Sequence, residues 1–457
     1  MRVSVVALIA ALATPALADD PPKSDAPKAD APVAPVAPVD AVKPADEVKP
    51  AEVVDKNIPP AEPPKNDGLP KPTTPPVPTA PVNASAVDCP KGTLFCFKND
   101  VVAVWPKLRV RPGFKYVDAD PQILYIGEND GFFLDEARIG AEGNVSNIVH
   151  FKLTIEAASL LPGATPNQPI TALVASAADA YVGWTPSPYF VVYAGQQLMP
   201  SEYEGGDVEA AIPFTHKSVF AGGVRSGEGE EVAGLSPLRQ VGLVLGSSDN
   251  LKLGDIPLEY RLGISNGNGL NQLGNDNKLP AGYLRLSSGF GDAVRVGIGG
   301  RFNPRTIGTL PNLYNEQDLV GFVDAELAID GISAVVEAEG RQTAFTTLDP
   351  SGTNPAGSET SLGGALWIGY TVDLVRDLGF AVTPAYRLSI YDPSSSFAVD
   401  QLMENTLGVR IDGDPLHMPL SFVVDYTILT EVGDFQNNVQ VRDLADNRLT
   451  ALFQIEL

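Results

Sequence analysis

Lys107, Arg109, Arg111 and Lys115 stand two or four residues apart, and Glu337, Glu339 and Arg341 repeat that spacing. In an extended strand successive side chains point to opposite faces, so residues two apart share a face at about 7 Å separation. Two carboxylates so placed, such as Glu337 and Glu339, could divide the acid and base roles of glycoside hydrolysis. A row of mixed sign could instead line a water-filled conduit and act on passing solutes through its field. The basic neighbours favour the conduit. The chain contains no His-Glu-x-x-His pair, Walker loop or dinucleotide fingerprint, and Gly297-Ile298-Gly299-Gly300 fits strand packing rather than a phosphate cradle. No catalytic residue and no cofactor are expected. His150, His216 and His417 are scattered, so no metal site is expected either.

What must position such rows is a set of strands. Leu319, Gly321, Val323, Ala325, Leu327 and Ile329 alternate with Val320, Phe322, Asp324, Glu326, Ala328 and Asp330. The next segment sets Ile332, Ala334, Val336, Ala338 and Gly340 against Ser333, Val335, Glu337, Glu339 and Arg341, with only Asp330-Gly331 between the two. That is a β-hairpin signature. The same reading along the chain gives about sixteen strands, the even count expected of a single-chain outer-membrane barrel. They span 105–117, 132–143, 147–158, 171–184, 188–196, 237–247, 255–265, 279–290, 292–303, 318–330, 331–341, 361–372, 378–391, 403–413, 416–430 and 447–457. Their connectors alternate short and long. Short ones include 143–147, 185–187, 287–292, 330–331, 373–378 and 412–415, while 266–278, 303–317, 343–360 and 431–446 are long and rich in Asn, Gly, Asp, Pro and Ser. Tight periplasmic turns and longer outer loops give a transmembrane barrel this rhythm. The expected fold is therefore an all-β, antiparallel transmembrane barrel over 105–457, in the outer membrane of a Gram-negative bacterium with lipid around it. Trp105, Trp184, Tyr426 and Phe453 near strand ends suit its aromatic girdles.

The N-terminal part is different. Val3 to Leu17 is a short apolar run ending in Ala16-Leu17-Ala18, the pattern of a cleaved export signal over residues 1–18. Residues 19–88 are dominated by Pro, Ala, Val, Lys and Asp, and a disordered periplasmic segment is expected, either a passive spacer or an arm that binds the peptidoglycan wall or another partner. Cys89 and Cys96 are the chain's two cysteines, and in an exported protein they predict a small disulfide loop within 89–104.

With the apolar face of each strand assigned to lipid, the opposite face carries the candidate pore residues. They are Lys107, Arg109, Arg111, Arg138, Lys152, Arg261, Arg285, Arg295, Glu326, Glu337, Glu339 and Arg341. The connector 197–236 exceeds every other, and loops of such length are usually functional or disordered. Met199, Tyr203, Ile212, Phe214, Val219 and Phe220 within it predict that it folds back into the lumen and narrows the path. Its constriction candidates are Glu202, Glu204, Asp207, Glu209, Lys217 and Arg225.

Four pieces in order carry a family resemblance: Phe133-Leu134-Asp135-Glu136-Ala137-Arg138-Ile139-Gly140-Ala141-Glu142-Gly143, Phe151-Lys152-Leu153, Ala180-Tyr181-Val182-Gly183-Trp184-Thr185-Pro186, and Tyr193-Ala194-Gly195-Gln196-Gln197-Leu198-Met199-Pro200. Together they resemble the N-terminal barrel strands of the phosphate-selective porin O and P family, over a quarter of the chain. The resemblance implies a sixteen-stranded, homotrimeric channel with an inward third loop. Members known for phosphate carry a dense basic ladder, whereas this chain has a formal charge of −24 and an acid-rich loop. The expected activity is therefore passive diffusion of small polar solutes or ions through a mixed-charge lumen. The alternative is a non-conducting structural or adhesive barrel tethered to the cell wall by its Pro-rich arm; a soluble exported β-sandwich is a third possibility. No nucleic-acid partner is expected.

Overall fold

The computed structural model describes residues 89–457 apart from 160–173, 346–356, 433–445 and shorter pieces of one to six residues; residues 1–88, with the expected signal and arm, lie outside the described residues. Sixteen antiparallel strands form a closed barrel. They are β1 (Val102–Val117), β2 (Gly131–Val145), β3 (Val149–Ser159), β4 (Val174–Ser187), β5 (Phe190–Leu198), β6 (Arg239–Ser247), β7 (Ile256–Ser265) and β8 (Ala281–Phe290). There follow β9 (Val294–Thr309), β10 (Asn312–Ile329), β11 (Ile332–Phe345), β12 (Ser358–Tyr370), β13 (Phe380–Asp392), β14 (Gln401–Gly413), β15 (Leu420–Val432) and β16 (Arg448–Glu456). Each strand pairs with its sequence neighbour, and β1 closes the ring on β16 from Arg109↔Glu456 to Val117↔Arg448. Closure leaves no open edge, the condition for a sheet to cross lipid.

Alternation explains the orientation of each strand. On β10, Leu319 and Val323 are exposed while Val320, Phe322 and Asp324 are buried; on β12, Leu366 and Ile368 are exposed while Ala365 and Trp367 are buried. Around the ring Ile139, Leu153, Leu262, Leu284, Ile298, Val336, Ile390, Leu407 and Phe422 likewise lie exposed on the outside. An apolar exterior with a polar interior is the membrane-spanning pattern. The tight turn at Asp330-Gly331 has positive φ at both residues (47° and 84°), the geometry for which an Asp-Gly pair is suited.

Three features depart from the sequence expectations. The connector 303–317 is not a loop: β9 and β10 continue as a ladder from Asn303↔Asp318 to Thr309↔Asn312. Its Asn, Pro and Gly content reads as loop, but cross-strand partners such as Arg305↔Glu316 form an ion pair that supports the extension. Trp105 belongs to no outer girdle, because it is only 5% exposed and lies in phase with the inward residues of β1; Trp184, Tyr426 and Phe453 are exposed. Finally, β1 runs past the end of β16, whose last pairing is Leu457 with Leu108. Phe97 and Lys98 fill the vacated edge opposite Val104 and Ala103, and the Cys89–Cys96 disulfide packs against Ala103 and Trp105.

Candidate pore and inward loop

The connector between β5 and β6, residues 199–238, lies inside the barrel. It contains a single helical turn, α1 (Val219–Gly222), and a two-residue ladder in which Gly223–Val224 pairs with Val232–Ala233. Its apolar residues supply the adhesion. Val219, Phe220, Val224 and Leu235 pack with Ala365, Tyr391, Leu402 and Leu429, while Ile212 and Phe214 pack with Val335, Trp367 and Ala385. Full burial of each large side chain is worth about 1.5–3 kcal/mol. Two inward glycines make the approach possible. A Cβ on Gly363 would stand 2.5 Å from Phe220 Cβ, and one on Gly408 would stand 2.7 Å from the Pro213 carbonyl oxygen.

Polar groups of the wall finish the seat by meeting the loop's backbone. Arg387 of β13, 1% exposed, donates to the carbonyls of His216 (2.8 Å) and Lys217 (3.3 Å), pairs with Glu404 of β14 (2.5 Å), and lies 4.5 Å from the centroid of Phe214. Glu404 accepts the N–H of Val219 at 2.6 Å. Asp425 of β15 accepts both the N–H and the hydroxyl of Thr215, at 2.6 and 2.8 Å, and Arg111 donates to the Thr215 carbonyl at 3.1 Å. Arg410 donates to the carbonyls of Ala210 and Ile212 at 2.6 and 3.1 Å. Farther along the loop, Glu228 is held by Lys115 (2.7 Å) and Arg448 (2.6 Å). Burial alone would raise the Glu228 carboxyl, but Arg448 and Lys115 outweigh it and hold it well below the usual range. His216 is pushed far down by burial, with Arg225 and Arg448 adding to the effect, so its ring is neutral at physiological pH.

The candidate residues divide between this seat and the remaining wall. Arg111, Arg285, Glu337 and Glu339 face the loop. Arg285 forks onto Asp324 at 2.6 and 2.8 Å and also reaches the Ser201 carbonyl, while Arg341 donates to Ser361 at 2.9 Å. Arg109 lies 3.1 Å from Glu456, Arg138 2.7 Å from Glu136, and Lys152 3.0 Å from Asp179, which Arg239 also reaches at 2.8 Å. Arg261 and Arg295 share Glu259. Lys107 and Glu326 are half-buried on the inward phase of β1 and β10. The more open side chains are Arg261 (24%), Arg295 (30%) and Glu259 (27%), against 13% for Arg109 and 10% for Arg138.

The loop candidates have a different fate. Glu202 and Glu204 are buried, 2% and 0% exposed; Glu204 accepts from the N–H and the hydroxyl of Ser218, both at 2.6 Å, and Glu202 accepts from the Ser236 hydroxyl, so both are bonded within the loop itself. Lys217 donates to the Gly206 carbonyl at 3.1 Å, and Arg225, half-exposed, pairs with Asp135 at 3.3 Å. Asp207 and Glu209 lie outside the described residues. Sequence reasoning did not single out Glu404, Thr215, Gly363 and Gly408 as loop contacts. A glycine at an inward position of an otherwise regular strand was the one available signal.

No family model matches the chain, and the curated proteins yield no match to it. Solved structures do. An outer-membrane protein OmpT of Vibrio cholerae, in its trimer form, is similar at 12% identity with a TM-score of 0.49, covering 78% of this chain and 100% of its own. An anion-selective porin from Comamonas acidovorans is similar at 11% identity and TM-score 0.49, covering 78% and 100%. OmpF of Salmonella typhi, in complex with daunomycin, is similar at 12% identity and TM-score 0.46, covering 79% and 100%. The barrel topology rests on its own strand ladder, and these likenesses carry no assignment of activity.

Proposed function

We propose that the protein is an outer-membrane porin through which small polar solutes and ions diffuse passively, its path bounded on one side by the inward loop and on the other by β3–β9. The observation that carries this reading is the uneven seating of the loop. Its larger apolar clusters pack on β11–β15 and backbone hydrogen bonds tie it to β1 and β13–β15, while its two ends also reach β8 and β9 through Arg285 to the Ser201 carbonyl and Arg301 to the Leu235 carbonyl; partly open charged groups of both signs, led by Arg261, Glu259 and Arg295, stand on β7 and β9. Mixed charge gives a field that suits small polar solutes and weak ion preference, whereas a ring of one sign would select strongly. A dense phosphate-selecting ladder is not part of this reading, because Lys152, Arg239, Arg261 and Arg295 are each paired with a carboxylate.

Planar-bilayer recording tests it. The refolded chain is expected to give stable conductance that scales with salt concentration, with a small reversal potential in a KCl gradient. A complete lack of channels across several salts would overturn the reading in favour of a non-conducting structural barrel. A homotrimer and a periplasmic arm contacting peptidoglycan are further elements of the proposal; cross-linking in the membrane tests the first, and a wall-binding assay of the arm tests the second.

A further inference from the structure

His216 lies in a stretch of the inward loop whose backbone is bonded at five consecutive residues. Thr215 gives its N–H to Asp425 of β15 at 2.6 Å and takes Arg111 of β1 on its carbonyl at 3.1 Å, and the carbonyls of His216 and Lys217 both receive Arg387 of β13. Ser218 and Val219 give their N–H groups to Glu204 and to Glu404 of β14, each at 2.6 Å. The imidazole is the exception. His216 is 6% exposed, and neither ring nitrogen, Nδ1 or Nε2, has a hydrogen-bond partner among the described residues. The pinned backbone therefore holds the ring where it meets no acceptor.

The charged groups around the ring are already committed to one another. Lys115 of β1 and Arg448 of β16 hold Glu228 at 2.7 and 2.6 Å, and Asp135 of β2 is taken by Arg111 at 3.0 Å and by Arg225 of the loop at 3.3 Å. Glu404 is paired with Arg387, Glu204 accepts from the Ser218 hydroxyl, Asp425 accepts from the Thr215 hydroxyl, and Lys217 donates to the Gly206 carbonyl. Burial opposes a positive charge on the ring, as do Arg225, Arg448 and Lys115, and Glu228 acts against them. A histidine cation here would be desolvated, without an acceptor and beside guanidiniums, whereas the neutral ring leaves the seat a single unpaired N–H.

We propose that His216 is an acid-operated release for the inward loop: the docked loop accepts only the neutral imidazole, and a proton taken from water onto the ring lets residues 215–219 leave their seat. A group whose affinity for a proton is lowered by docking leaves the docked state at full strength above its ordinary value, about 6.5 for histidine, and weakens it as pH falls below that value. Neutral pH therefore favours docking and mild acid favours release. Glu228 works in the same direction only below the ordinary carboxylate range, so the two effects are separated in pH. The release rests on the inward position of the loop and holds whether or not the barrel conducts.

Hydrogen exchange of the loop's backbone amides reads docking independently of conduction. The amides of Thr215 and Val219, bonded to Asp425 and Glu404, are followed by mass spectrometry in the full chain in lipid, with each rate divided by the intrinsic rate at that pH. The window runs from about pH 5 to about pH 8, on both sides of the ordinary histidine value. In the parent, protection is expected to stay level above about pH 6.5 and to fall by up to about tenfold per pH unit below it, for one proton taken up. Strand amides of β11 to β15 should keep their protection throughout, which distinguishes release of the loop from loss of the barrel. H216Q has no titrating ring and should show level protection across the window; H216F, which fills the same space and needs no hydrogen bond, serves if H216Q does not dock. Any titration of Glu404 or Asp425 would appear equally in parent and variants. Level protection in the parent, or the same acid slope in a docked variant, would overturn the release.

Discussion

Replacing Arg387 with Met keeps most of the side-chain stem and removes the charge from the centre of the loop's seat. Arg387 and Glu404 are 1% and 0% exposed, so the substitution strands a carboxylate whose remaining donors are Val219 N–H at 2.6 Å and Thr406 Oγ1 at 2.7 Å. Removing one partner of a buried ion pair costs about 3–5 kcal/mol. The lost donations to the His216 and Lys217 carbonyls add about 1 kcal/mol each. None of these contacts belongs to the barrel's backbone ladder, so the cost falls on the docked loop rather than on the barrel. A total of about 5 kcal/mol changes the docked-to-released ratio by a few thousandfold. Trypsin cleavage at Lys217 or Arg225 of the membrane-embedded protein reports release, and heat-modifiable gel mobility reports the barrel. R387M should be cleaved much faster than the parent while its barrel stays folded. R387M/E404Q should recover most of the protection, because the stranded charge is gone. Cleavage of R387M at the parent rate would refute the reasoning, as would a double variant no better protected than the single one.

Four other outcomes follow from the same contacts. G408V and G363V should displace the loop at a cost of about 1–3 kcal/mol each and raise its cleavage rate, whereas G321V should leave it unchanged, because nothing lies within 4 Å of a Cβ there. R261Q/R295Q removes the more open basic pair and should move the reversal potential toward cations; the same value as the parent would show that the path lies elsewhere. L366R places a cation on the exposed outer face and should cost up to about 2–4 kcal/mol of folding stability in lipid, with a smaller change in detergent. Glu228 has its proton affinity lowered on docking, so its contribution is present above the ordinary carboxylate range and is lost only as pH falls below it. Consequently E228Q should lower loop protection at neutral pH and have little further effect in strong acid.

Strand phase was legible because half of each strand's side chains had to be apolar. Leu319, Val323, Ile332 and Val336 announced their face before any partner was known, and the strand count and order follow. Composition was a poorer guide where water reaches both faces of a ladder, which is why 303–317 read as a loop although Arg305 and Glu316 pair across it. Trp105 misled for another reason. Its distance from the strand end suits a girdle, but the cystine and Ala103 receive it inside. The loop's inward course was legible in Ile212, Phe214, Val219 and Phe220; its seat was not, since Gly363 and Gly408 lie more than a hundred residues away in sequence and matter only through what they leave empty.

The formal charge of −24 invites the inference of a cation channel, and the placement of the acids argues against it. Glu337, Glu339, Glu404 and Asp425 are each at most 3% exposed and meet the loop or its partners, so little of their field reaches a solute. Glu202 and Glu204, near the loop root, are likewise buried, at 2% and 0% exposure. Counting charges along the chain therefore measures the adhesive between loop and wall as much as the lining of the path. Selectivity depends on the groups that keep contact with water, and on β7 and β9 those include Arg261 and Arg295 around Glu259, with Arg305 farther along β9 beside Glu316. A weak preference in reversal potential, despite the large negative total, is the outcome this arrangement requires; strong cation selectivity in the parent chain would mean that the acids of the seat are open to the solute path and that the loop does not cover them.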